Sequence, residues 1–220
     1  MNASRLLTAV VAGALVVATT GSVARPGNAD GVYRVRPDPR LCPSPVCGGF
    51  FVRLVNRPTT SCGDGAARAW CYVARIDLTG LPAAAQTRVQ GVERAGNLLL
   101  RGRIAPDDRA EFHGLSRLVA GEAWLAATST TSSGIVFLVT DTGIRCIRAP
   151  CFALRAGIVN TSRAVKASGL DLKPVAAGPS AVRLGRAALA TGGLLVAGTS
   201  GQDTDGGRTV VASQFYLRAS

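Results

Sequence analysis

The chain repeats itself, and this constrains its fold more than any other property. Residues 33–56, YRVRPDPRLCPSPVCGGFFVRLVN, run without a gap alongside residues 137–160, FLVTDTGIRCIRAPCFALRAGIVN. Cys42 then matches Cys146, Cys47 matches Cys151, and Val55-Asn56 matches Val159-Asn160. Both segments carry C-x4-C and both end in V-N. The match resumes after small gaps. Ile76-Asp77-Leu78 resembles Leu170-Asp171-Leu172, and Gly96–Gly102 resembles Gly192–Gly198. A period of this kind implies a recurring supersecondary unit. The expectation is two homologous units of about 95 residues, at 30–130 and 131–220, with the turn-prone STTSSG run (129–134) at the seam.

The first 29 residues are expected to lie outside that fold. Arg5 supplies a positive start, and Leu6 to Ala18 is an apolar run of 13 residues. That is too short to span a bilayer as a helix but suits a secretory signal peptide. Small residues allow cleavage after Ala24 or after Ala29. The chain therefore reads as secreted or otherwise extracytoplasmic, with no transmembrane segment in its mature form. The cysteines agree. There are six, all beyond the leader: Cys42, Cys47, Cys62, Cys71, Cys146 and Cys151. In an oxidising compartment an even set reads as a disulfide framework. If the two units fold alike, Cys146 pairs with Cys151 and Cys42 with Cys47, which leaves Cys62 for Cys71.

Each unit reads as strands around one short helix. Gly31–Arg36 and Gly134–Thr140 are short β-rich runs, as are Phe50–Asn56 and Phe152–Asn160 after each cysteine pair. Cys71–Leu78 alternates, with Tyr72, Ala74, Ile76 and Leu78 expected on the buried face. Pro82–Ala95 and Ser180–Ala190 change to helical spacing, with Gly96 and Gly192 as stops and Gly91 as a weak point. Leu98–Ile104, Leu194–Thr199, Ser116–Ala127 and Thr209–Arg218 read as further strands. The polar loops at Pro106-Asp107-Asp108 and Gly201–Gly207 suit antiparallel hairpins. The expected class is α+β, mainly antiparallel, with about five strands and one short helix per unit.

Composition excludes two function classes. With 47% apolar and 17% charged residues the chain is not intrinsically disordered. One apolar run cannot make a multipass membrane protein. The formal net charge is +12, and loss of Arg5 and Arg25 with the leader still leaves a strongly basic chain. Such a field favours anionic envelope polymers, lipid headgroups or nucleic acid. The arginines are scattered, however. The only basic stripe interleaved with an aromatic is Tyr33-Arg34-Val35-Arg36, so nucleic acid is a poor candidate.

No catalytic set is legible. His113, the one histidine, sits in a polar loop and has no counterpart in the second unit. No G-x-S-x-G elbow and no phosphate-binding glycine loop occur. Asp107-Asp108 and Asp203/Asp205 lie among turn residues rather than on strands facing a cleft, as a glycosidase requires. Asp203-Thr204-Asp205-Gly206 starts like a calcium loop but lacks its glycine position and later glutamate. Cys42, Cys47, Cys62 and Cys71 lack the close-pair spacing of a zinc site. No cofactor, metal or catalytic residue is assigned. Asn160-Thr161-Ser162 fits the glycosylation pattern.

The cysteine segments, with LLLRGRI (98–104) and IRCIRAPCFALRAGIVN (144–160), resemble a family of secreted bacterial proteins known as a domain of unknown function. The resemblance covers nearly all of the mature chain and implies a secreted, cysteine-bridged module. The reading is a non-enzymatic, disulfide-stabilised binding or structural protein. The alternatives are a protease inhibitor presenting a cysteine-braced loop, an electrostatic binder of anionic envelope polymers, and a secreted hydrolase built on the acidic loops.

Overall fold

The computed structural model describes residues 30–220; the expected leader and its cleavage sites lie outside them. Among the described residues the fold is mainly antiparallel β-sheet with two α-helices. The first half holds β1 (Gly31–Pro37), β2 (Phe50–Leu54), β3 (Thr60–Ser61), β4 (Ala67–Arg68), β5 (Cys71–Val73) and β6 (Arg75–Asp77). It continues with α1 (Ala83–Val89), β7 (Leu98–Pro106) and β8 (Ser116–Ala126). The second half holds β9 (Ile135–Asp141), β10 (Leu154–Ile158), β11 (Ala164–Ala167) and β12 (Gly169–Asp171). There follow α2 (Pro179–Thr191), β13 (Leu194–Gln202) and β14 (Arg208–Arg218).

The main sheet runs β11-β10-β9-β13-β14-β8-β7-β1-β2-β5. Two short strands join it in parallel, β6 beside β8 and β12 beside β14. The order reads outward from the β14/β8 pair in the same sense on both sides. At that centre Leu217 faces Leu125, Tyr216 faces Ala126 and Arg218 faces Trp124. The longest hairpins match as well. β7–β8 shifts register between Arg101 and Gly102, and β13–β14 between Ala197 and Gly198. A Cβ at Gly102 would collide with the carbonyl oxygen of Val119, and one at Gly198 with that of Val211. Only glycine permits so close an approach at each bulge.

Alternation along the strands sorts the core. Tyr33, Val35, Leu98, Leu100 and Leu118 pack with Ala85 and Val89 of α1. Phe137, Val139, Leu194, Val196 and Phe215 pack with the apolar side of α2. The alternate residues point the other way. Val32, Val55, Leu99 and Trp124 meet Val136, Val159, Leu195 and Tyr216 in one shared cluster. The sheet therefore curls until its two halves face each other, with a helix over each outer face.

Two asparagines fasten the halves. Asn56 and Asn160 have φ of 58° and 60°, a left-handed turn conformation that asparagine tolerates better than most residues. The Asn160 side chain accepts from the Val32 N–H at 2.8 Å and donates to the Val32 and Val55 carbonyls at 2.8 and 3.0 Å. The Asn56 side chain does the same in reverse, with the Val136 N–H at 2.9 Å and the Val136 and Val159 carbonyls at 2.7 and 3.0 Å. Each V-N end thus satisfies backbone groups of the opposite half. The glycosylation pattern at Asn160 coincides with this pin, so the amide is already committed.

The structure departs from the sequence reading in four places. The Cys71–Leu78 run breaks at Ala74, because β5 pairs with β2 and β6 with β8. Cys71 and Val73 are buried while Tyr72 is half-exposed, so the first part of the run has the opposite phase. Pro82–Ala95 is not one helix. α1 ends at Val89, Gly91 takes φ 87°, and a 3₁₀ turn covers Val92–Ala95. The β3–β4 ribbon and β11 carry no apolar period and were not expected. The first half holds eight strands and the second six, rather than five each.

Candidate binding surface

The structure joins Cys42 to Cys47, Cys62 to Cys71 and Cys146 to Cys151. Cys62 and Cys71 are buried in the first core, and their bridge ties the β3–β4 ribbon to β5. The other two bridges close exposed loops after β1 and β9. Both loops end in bare aliphatic side chains: Leu41 and Val46 on one, Ile144 and Ile147 on the other. Leu41 and Ile147 are each 103% exposed.

The first loop is anchored to a face that the second half lacks. On that face β1 sets Arg36 opposite Phe51 and Arg34 opposite Arg53, and β5 sets Tyr72 opposite Phe51. Trp70 precedes β5. The Arg36 guanidinium lies 4.2 Å from the Trp70 ring centre and 5.3 Å from that of Phe51. Arg53 stacks on Trp70 at 5.0 Å. Arg40, from the cysteine loop, covers Tyr72 at 5.0 Å and Phe51 at 5.4 Å. Phe51 and Tyr72 meet edge to face at 5.8 Å. Arg40 is fixed further. It donates to both carboxylate oxygens of Asp38 at 2.8–3.0 Å and to the Val46 carbonyl at 3.0 Å. This pairing lowers the pKa of Asp38 and raises that of Arg40. The Tyr72 hydroxyl donates to the Pro45 carbonyl at 2.7 Å. At the matched positions of β9 and β10 stand Leu138, Thr140, Arg155 and Gly157, so no such ladder forms there.

The sequence showed only the Tyr33–Arg36 part of this surface. Tyr33 faces the core instead, at 1% exposure. Phe51, Arg53, Trp70 and Tyr72 come from other strands and join Arg36 only through pairing. Their alternation of cation and ring has no sequence period to betray it.

The acidic loops form turns and ion pairs. Asp107 is fully covered and accepts from Arg75 at 2.8 Å, and Asp108 accepts from the same guanidinium at 2.9 Å. Arg117 pairs with Asp108 and, at 3.4 Å, with Asp77. Asp203 accepts the Thr209 hydroxyl and Asp205 the Gly207 N–H. His113 is exposed at the end of a 3₁₀ turn. Among the described residues, no three His, Cys, Asp or Glu side chains converge as metal ligands.

Burial pushes the pKa of Asp107 up, but the Arg109 N–H and the Arg75 guanidinium outweigh it and hold it below the ordinary value. Asp77 is lowered by the Thr79 hydroxyl first, against a smaller burial effect. A carboxylate lowered on folding adds stability above its unfolded pKa and loses it as pH falls through the folded one. The melting temperature should therefore drop with acid below about pH 4. Asp107→Asn should flatten that drop in thermal melts across the acid range. An unchanged acid slope would mean Asp107 has no part in it.

A family model described as a domain of unknown function, DUF6748, matches residues 31–220. No curated protein and no solved structure matches the chain.

Proposed function

We propose, from the premise that the chain belongs to the DUF6748 family, that it is an extracytoplasmic binding protein of two homologous units. Its ligand is an anionic envelope polymer, held on the arginine–aromatic face of β1, β2 and β5. The matched strand order, the matched bulges and the reciprocal asparagines support the duplication. Three bridges support an oxidising compartment. Among the described residues no helix is long and apolar enough to cross a membrane.

The stacking of Arg36, Arg40 and Arg53 on three rings carries the reading. A free arginine side chain loses about 2 kcal/mol of rotamer entropy when a ligand immobilises it. Here the rings and Asp38 have already restricted those side chains, so binding costs less. Arg40 spends its fork on Asp38, but Arg36 and Arg53 have no ion-pair partner among the described residues, and a stacked guanidinium can fork onto carboxylate or phosphate oxygens. Successive cations suit a ligand with successive anions better than a single small ion. The exposed Leu41 and Val46 extend the face with apolar contact.

Retention on immobilised polygalacturonate tests this reading. The purified protein should bind and elute with salt, since screening weakens exposed charge pairs. Trp70→Ala removes the ring under two guanidiniums without altering net charge. It should weaken retention about tenfold, as expected when the stacking of two cations is lost. Unchanged affinity in Trp70→Ala and Arg36→Ala would exclude this face.

A further inference from the structure

A second basic surface lies at the seam and shares no lining residue with the ladder. A cleft of about 840 Å³ opens between the start of the first half and the β9–β10 face of the second. Arg57, Arg101, Arg155 and Arg163 line it, and Asp30 is the one carboxylate among its lining residues. Arg101 is partly neutralised, 3.5 Å from Glu122, and stacks on Trp124. The Arg57 Nε–H donates to the Asn160 carbonyl at 2.8 Å, which aims the rest of its guanidinium from one half toward the other. Arg57, Arg155 and Arg163 have no ion-pair partner among the described residues, whereas Arg75, Arg117 and Arg145 do.

Two lining residues differ from their counterparts in the first half. Where β1 and β2 set Arg34 against Arg53, β9 and β10 set Leu138 against Gly157. Both replacements line the cleft. A Cβ at Gly157 would sit 3.2 Å from Arg155 Nη1, so the guanidinium lies across the bare glycine. In the first half, Arg53 fills the corresponding position and stacks on Trp70.

We propose that this seam cleft binds an organic phosphate ester. The net positive lining calls for more than one negative charge, and a phosphate monoester carries nearly two at neutral pH. Guanidinium forks match its oxygens in pairs. The volume falls within the usual range for ligand sites and exceeds what inorganic phosphate alone would fill. Leu54, Leu138 and Ile158 supply a wall for the remainder of the ligand. The ester's source is either a free small molecule or the phosphates of an envelope polymer.

Calorimetric titration with inorganic phosphate, glycerol 3-phosphate and poly(glycerol phosphate) tests the proposal. Glycerol 3-phosphate should bind more tightly than inorganic phosphate. Arg155→Ala and Gly157→Leu should each weaken it about tenfold or more, the loss expected for one charge-assisted hydrogen bond or for filled space. Arg155→Lys keeps the charge but not the fork and should fall between. Trp70→Ala should leave this binding intact, which separates it from the ladder. Tighter binding of the polymer, sensitive to the same variants, assigns the polymer as source, and tighter binding of the monomer assigns the small ester. Absence of binding by both esters overturns the proposal. So does equal affinity of Gly157→Leu and the parent, with both melting alike without ligand.

Discussion

Asn160→Ala is expected to destabilise the protein by about 3 kcal/mol, a loss that the reciprocal Asn56→Ala should match. The amide makes three hydrogen bonds to backbone groups of the other half. Alanine would leave the Val32 N–H and the Val55 carbonyl without this partner at a part-buried seam, while the Val32 carbonyl keeps the Val55 N–H at 3.1 Å. Each such group costs about 1–3 kcal/mol when water cannot reach it. The φ of 60° adds about 1 kcal/mol more for a residue other than glycine or asparagine. Asn160→Gly therefore recovers the backbone part and not the hydrogen bonds. Asn160→Asp is nearly isosteric, yet a carboxylate cannot donate to two carbonyls. Its protonated form donates once, so the aspartate's folded pKa rises and the variant gains stability as pH falls. Urea denaturation gives all three values. A loss below 1 kcal/mol for the alanine variant would show that the pin is not a principal fastening between the halves.

Removing the Cys62–Cys71 bridge should have the next largest effect. The bridge closes a sequence separation of nine residues, for which chain entropy gives about 2–4 kcal/mol. Both cysteines also lie in the core, at 7% and 1% exposure. The double alanine variant therefore loses packing as well as the cross-link. Cys146 and Cys151 close a shorter, solvent-facing loop that ties no core element. Their double alanine variant should lose less than about 2 kcal/mol, near the floor of that range. Calorimetric melting of the two variants without reductant makes the comparison. An equal or larger loss from the exposed pair would contradict this account of what the bridges hold.

Much of the frame was legible because it rests on local signals. β-branched runs mark β1, β2, β9 and β10, and helical spacing followed by Gly192 marks α2. The cysteine segments pointed to a domain of unknown function, and the family model that matches is described as one. The V-N ends were readable as the ends of strand runs, and both asparagines there take left-handed φ. Their reach into the opposite half was not readable, since Asn160 meets Val32 across 128 residues of chain. The break at Ala74 was hidden for a related reason. Alternation reports a face only while one strand keeps one partner, and here the partner changes from β2 to β8. The ladder and the cleft are both products of pairing. Gly157 opposite Leu138 gains meaning only beside Arg53 opposite Arg34, and that comparison requires knowing which strands lie together.

Reciprocal fastening makes the segment between Ala126 and Ile135 a tether rather than a spacer. Its own hydrogen bonds, from Arg34 to Ser132 and from Gln214 to Thr128 and Thr130, add to the contact between the halves, and its covalent continuity sets how often they meet. A connection this short holds its ends at an effective concentration on the order of millimolar or above. A single proteolytic nick there would leave the asparagine pins and the shared cluster unchanged. Unfolding would nonetheless become bimolecular, and the protein's stability would then fall with dilution.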